Sequence, residues 1–304
     1  MDRLITVSAP GSIMITGEHA VVYGHPAIVA AIDQRITVQL APEGDALLHI
    51  TSGIAPPAQV PMGQLVAEGP YRFVIAAVLL HRGEIPSGLR IDITSEIDPT
   101  LGLGSSAAVT VAVLAALAGE ATAQVHQTAL SIIRAQQGRG SGADLAASLQ
   151  GGALSYQIEG DGPARIAPLS PPPVLSLFNV GYKTPTADVL VSVAKAHDED
   201  PARIDTIYTD MGRVAVQTIG SVERGHWAAT GPHLAAYQDL MQQLGVSDDA
   251  LDGAVARATA TDGVIGAKIS GSGLGDCVVA IGAVPDGFEP VKLAKEGVVF
   301  HGER

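Results

Sequence analysis

Residues 99–107 read Pro99-Thr100-Leu101-Gly102-Leu103-Gly104-Ser105-Ser106-Ala107, and a long apolar run follows. Gly102 and Gly104 remove side chains where a backbone has to approach something closely. Ser105 and Ser106 are residue types favoured at helix N-caps, so they predict a helix that starts there. A helix N-terminus behind a glycine loop offers free N–H groups and a partial positive charge, which is the physics of a phosphate site. Gly102, Leu103, Gly104, Ser105, Ser106 and Ala107 are therefore candidates for cradling a nucleotide triphosphate. No Gly-Lys-Ser/Thr closes the segment, so it is not a Walker loop. Nor does it carry the Gly-x-Gly-x-x-Gly of a dinucleotide fingerprint.

Composition narrows the class. A chain of 304 residues predicts two domains of ordinary size, and 47% hydrophobic content predicts a sizeable core. A net charge of −13 argues against a broad basic face for nucleic acid or an anionic membrane. An anionic substrate must then be held by a local cluster of donors. The apolar stretch from Ala107 to Gly119 is too short to span a bilayer. Met1-Asp2-Arg3-Leu4 lacks the apolar region of a signal peptide, and the single Cys277 has no internal disulfide partner. These features predict a cytoplasmic protein with neither nucleic acid nor membrane as partner.

Periodicity predicts an α+β protein. Leu4–Val7, Ile13–Thr16, Ile36–Leu40, Ala46–Thr51 and Leu89–Thr94 read as strands. Tyr71–His81, Ala107–Ala118 and Thr128–Gln137 read as helices, the second apolar nearly all round and hence buried. The prolines of Pro168-Leu169-Ser170-Pro171-Pro172-Pro173 predict a stiff linker without regular structure. That places one domain over 1–167 and another over 174–304. In the second, Val174–Val180 and Val278–Ile281 read as strands. Ala187–His197, Ile204–Ser221 and Gly231–Leu244 read as helices.

Three further clusters carry candidate chemistry. Glu18 and His19, in Gly17-Glu18-His19-Ala20-Val21-Val22-Tyr23-Gly24, read as pocket lining for a polar substrate or as a surface turn. In Gly140-Ser141-Gly142-Ala143-Asp144, the carboxylate is a candidate base for an attacking hydroxyl; the alternative is a helix-dipole contact. Ser270-Gly271-Ser272-Gly273-Leu274-Gly275 reads as a loop over substrate or as a connecting turn. Ser106 is a candidate magnesium ligand or a simple cap.

These four motifs, in this order, resemble the GHMP small-molecule kinases, and within them the mevalonate kinase branch. Ser8-Ala9-Pro10-Gly11 followed by Gly17-Glu18-His19-Ala20-Val21-Val22-Tyr23-Gly24-His25-Pro26-Ala27-Ile28 carries most of the likeness. Gly102–Ala107, Ser141-Gly142-Ala143-Asp144 with Gly151-Gly152-Ala153-Leu154, and Lys268–Gly275 complete it. The resemblance implies a ribosomal-protein-like N-terminal domain and a ferredoxin-like C-terminal domain. It implies ATP and Mg2+ as cofactors and Asp144 as the catalytic base. It places Ser106 on the metal. Glu18, His19, Lys183, Thr184, Thr186, Gly271 and Ser272 are implied near a small hydroxy acid. Mevalonate is the expected acceptor, in isoprenoid precursor synthesis. Phosphomevalonate, or nucleotide binding without turnover, is the alternative, and a homodimer stays open. The chain departs from the family at three places, one of them Thr100 in place of a loop glycine with Leu274 interrupting the third glycine run. Ser12 stands where a lysine follows Ala-Pro-Gly, and Ile133 stands where a magnesium-binding glutamate precedes the base. Lys183 and Arg139 are candidates for the absent positive charge.

Overall fold

β1 (Ile5–Thr16) is one strand where the sequence reading predicted two. Pro10 and Gly11 do not break it, because the irregularity is taken up by a register shift against β2 (Ala27–Glu43) between these two positions. A bulge of this kind inserts extra residues on one strand and bends the pair. The computed structural model describes residues 4–85, 87–160 and 162–302. The reading of Met1-Asp2-Arg3 lies outside the described residues.

After β2 come β3 (Leu47–Ser52), β4 (Ala55–Pro61), α1 (Arg72–Leu80) and β5 (Gly88–Ser95). Then follow α2 (Ser105–Ala118), α3 (Ala123–Gln137), α4 (Ala143–Gln150), β6 (Ala153–Gln157) and β7 (Arg165–Leu169). β3 and β5 pair in parallel, and the other pairings of this sheet are antiparallel. α2 is apolar on every face because it is surrounded. It packs on β1 and β2 below and on α1, α3 and α4 beside it. Its Ala108, Val111, Ala112, Val113 and Ala115 are fully buried.

The remaining elements are β8 (Leu175–Asn179), α5 (Thr186–Glu199), α6 (Pro201–Glu223), α7 (Gly231–Leu244), α8 (Asp249–Thr259), β9 (Val264–Ser270), β10 (Cys277–Gly282), β11 (Glu289–Val291) and β12 (Val299–His301). Four of these strands form an antiparallel sheet in the order β11-β8-β10-β9. β12 returns to the first sheet and pairs with β1.

Two local expectations need correction. Pro168 is not in an irregular linker but in β7, opposite Leu154 of β6. β7 pairs with β6 alone, so a residue without an N–H is tolerated at this edge. Ser105 and Ser106 do not cap α2 either. Gly104 occupies the N-cap in the left-handed conformation (φ 70°), with no side-chain cap hydrogen bond. Both serines fall inside the first turn, which keeps their hydroxyls out of the capping role.

Arg35 straps the end of the chain to the first sheet. Its guanidinium donates to Ser8 Oγ at 2.9 Å, to Ser8 O at 3.1 Å and to Gly297 O. Removing a charged donor from partly buried carbonyls costs about 1–3 kcal/mol. Arg35→Met is expected to lower the urea midpoint accordingly. It should also open the segment after residue 295 to limited proteolysis before the rest of the chain.

Candidate active site

Ser12, in the middle of β1, ties three elements together. Its N–H donates to Leu103 O at 3.1 Å, which seats the glycine loop on the strand. Its Oγ donates to Asp144 Oδ1 at 2.7 Å. The loop lies so close that a methyl group at Gly104 would sit 2.1 Å from Ser12 Oγ. Both the close approach and the positive φ therefore require glycine at 104.

Asp144 opens α4, where the preceding turn is fixed from behind. Tyr156 Oη donates to Ser141 O at 2.5 Å, and His126 Nε2 donates to Gly142 O at 3.0 Å. Burial pushes the Asp144 carboxyl above the usual carboxylate range; the Ser12 hydrogen bond opposes this and the nearby Asp276 charge adds to it.

A cleft of about 300 Å³ collects most of the candidate residues. Gly102, Gly104, Ser105, Ser106 and Ala107 line one wall, and Asp144 with the Gly140–Gly142 turn lines another. Glu18, His19, Lys183, Thr186, Gly271 and Ser272 complete it. Leu103 and Thr184 are not on its wall. Leu103 serves through its carbonyl, and Thr184 donates its N–H to Leu274 O at 3.0 Å. Ile133 faces the same cleft with an apolar side chain.

The Glu18-His19 turn is bound to the second half of the chain. Glu18 Oε1 accepts from Lys268 Nζ, and both side chains are buried. Tyr237 Oη donates to Glu18 O at 2.9 Å. His19 Nε2 donates to Ser272 O at 2.9 Å, which assigns the proton to Nε2. Burial holds the His19 imidazole below its ordinary value, so it is neutral around pH 7. Its backbone is in the left-handed region at φ 58°, a conformation that costs a non-glycine residue about 1–3 kcal/mol.

Sequence reasoning did not assign Asp276 to the site. Its side chain is 3% exposed and lines the cleft. Oδ2 accepts from Ser272 N at 2.6 Å and Ser272 Oγ at 2.9 Å. Oδ1 is 3.4 Å from Lys183 Nζ and has no hydrogen-bond partner among the described residues. The available signal was one carboxylate between Gly275 and the apolar run that starts at Cys277. Lys268 gave a similar signal, a lysine between Ala267 and Ile269 in an apolar strand. Cys277 is buried, and burial pushes its thiol up to about 12, which leaves it a packing residue.

Among the described residues no helix is long and apolar enough to cross a membrane. The family model for the GHMP kinases N-terminal domain matches residues 71–152, and that for the GHMP kinases C-terminal domain matches 218–295. The mevalonate kinase of Archaeoglobus fulgidus is 33% identical over 96% of this chain and 98% of its own length. That of Aeropyrum pernix is 31% identical over 96% and 93%. The crystal structure of the Lin0012 protein from Listeria innocua superposes with a TM-score of 0.87 at 22% identity, covering 99% of this chain and all of that one.

Removing one partner of a buried ion pair strands the other charge, at a cost of about 3–5 kcal/mol. Lys268→Met is therefore expected to lower the denaturation midpoint sharply. Glu18→Gln combined with Lys268→Met should recover most of the loss, as read by urea unfolding monitored by circular dichroism.

Proposed function

Because this chain belongs to the GHMP kinases, and is a small-molecule kinase that uses ATP, we propose that it phosphorylates mevalonate to 5-phosphomevalonate. The observation that carries the reading is the Asp144 carboxylate facing the same cleft as the first turn of α2. Two mevalonate kinases that align over nearly the whole chain support the choice of acceptor.

Phosphoryl transfer needs positioning and charge neutralisation more than covalent help from the protein. In this reading the backbone N–H groups from Gly104 to Ala107 hold the terminal phosphates at the start of α2. Asp144 accepts the proton of the acceptor hydroxyl, and Ser12 steers its carboxylate. Glu18, His19, Thr186, Gly271 and Ser272 shape the acceptor end.

The donor set suits magnesium. Ser106 presents a hydroxyl on the cleft wall, and Asp144 and Asp276 present carboxylate oxygens there, all hard oxygen donors. Among the described residues no group of three or more His, Cys, Asp or Glu gathers into a metal cage. A magnesium ion would take few ligands from the protein. Ser106 with Asp144 would hold it, and when bound it supplies charge neutralisation across the phosphates.

ADP release in the presence of mevalonate, ATP and magnesium is the direct test, with 5-phosphomevalonate as the competing acceptor. Mevalonate should be preferred. A rate no higher than that of Asp144→Ala defeats the assignment. Asp144→Asn should lower kcat by about 10²–10⁴-fold, the range for loss of a general base.

The pH profile adds a signed expectation. A base works ionised, and Asp144 is shifted upward, so the acid limb of kcat/KM should lie above the ordinary aspartate value of about 3.9. Ser12 donates to the ionised form and so lowers this pKa. Ser12→Ala should move the acid limb to still higher pH.

A further inference from the structure

We propose that Lys183, aimed by Asp276, is the cation that meets the terminal phosphates of the nucleotide. The inference rests on the kinase reading but assigns Lys183 to the nucleotide, where the sequence resemblance had implied the acceptor.

The cleft has a charge problem. Asp276 is buried against it, Asp144 is half-buried on its wall, and the ligand is a polyanion. Positive charge must come from the protein or from metal. Among the described residues Arg134, behind the cleft wall, donates to Gly140 O at 3.2 Å, and two further basic side chains near the cleft are also committed elsewhere. Lys268 is buried on Glu18. Arg139 is exposed and donates to Tyr23 Oη at 2.6 Å, where Tyr23 stacks on Tyr208 with ring centroids 4.4 Å apart.

Lys183 differs from all three. Its side chain is 26% exposed and lines the cleft. A methyl group at Gly102 would lie 3.3 Å from its Nζ and 2.7 Å from Asp276 Oδ1. The ammonium therefore sits against the loop whose amides face the phosphates. Its neighbours in sequence are fixed on both sides. Tyr182 Oη donates to Asp248 Oδ2 at 2.6 Å, and Thr184 N donates to Leu274 O at 3.0 Å.

Asp276 is the positioning residue. Two bonds from Ser272 lock one of its oxygens, while the other is buried without a hydrogen-bond partner among the described residues and lies 3.4 Å from Lys183 Nζ. At 3.4 Å this pair is looser than a charge-assisted hydrogen bond. The ammonium keeps free donors for an incoming phosphate oxygen, and Asp276 keeps it from withdrawing to solvent. No covalent step is added. Lys183 opposes the charge that builds on the phosphoryl oxygens as transfer proceeds.

The test uses the full-length chain with Lys183→Met, Lys183→Arg and Asp276→Asn. Binding of a non-hydrolysable ATP analogue with magnesium is measured by calorimetry, and phosphoryl transfer by ADP release. Lys183→Met should weaken the analogue about tenfold. It should lower kcat by about 10²–10³-fold, the scale for losing one charge-stabilising donor, while the KM for mevalonate stays within about threefold. Lys183→Arg should restore much of both. Asp276→Asn should lower kcat in the parent chain and have little effect once Lys183 is Met, because its action passes through Lys183. An analogue affinity unchanged by Lys183→Met, in protein with a native circular dichroism spectrum, overturns the proposal. So do multiplicative losses in the double variant. A parent chain inactive on mevalonate would sink the acceptor assignment alone, because the analogue measurement needs no acceptor.

Discussion

Ser12 is the point on which the site turns. Its backbone amide seats the glycine loop and its hydroxyl holds Asp144, so one residue sets the distance between that loop and the carboxylate. The arrangement demands a residue small enough to sit beneath Gly104 and polar enough to donate. Serine meets both conditions. A longer side chain would have to pass the loop that is already in contact with Ser12 Oγ.

Charge is distributed around this point in pairs. Glu18 is matched by Lys268 deep in the structure, and Asp276 by Lys183 at the cleft wall. The two pairs differ in what surrounds them. The first is buried on both sides, so its role is to join the Glu18-His19 turn to β9 at the expense of desolvation. The second retains access to the cleft. In the proposed reading a chain with a net charge of −13 meets a polyanionic ligand through Lys183, whose ammonium lies beside Gly102 with Asp276 next to it.

Backbone strain marks the same region. His19 at φ 58° and Leu274 at φ 52° are left-handed without being glycine. Both are held by bonds that cross between segments. His19 reaches Ser272 O; the Leu274 amide donates to Val246 O, and its carbonyl accepts from Thr184. Strain of this sort persists only where surrounding contacts over-determine the conformation. Here those contacts link the Glu18-His19 turn and the Lys183 loop to residues 271–276, so three pieces of the cleft wall are mutually fixed.

Much of this was legible in the residues themselves. The glycine loop before an apolar helix predicted a phosphate site, because it encodes helix-terminus electrostatics, while the Glu-His turn and the glycines before Asp144 took their meaning from the resemblance that the four motifs carry together. Local signals could not reveal that β1 runs unbroken through Pro10-Gly11, since the irregularity is absorbed by its partner strand. Nor could they put Pro168 in a strand, which depends on β7 lying at a sheet edge. Folding alone brought Ser12 to Asp144, Glu18 to Lys268 and Lys183 to Asp276. Two of these pairs join residues more than a hundred positions apart, and in the third the gap is 93. The amino-acid order specified which chemical groups the protein owns; the packing of two sheets decided which of them meet, because charge and hydrogen bonding act over a few ångströms of space and not along the chain.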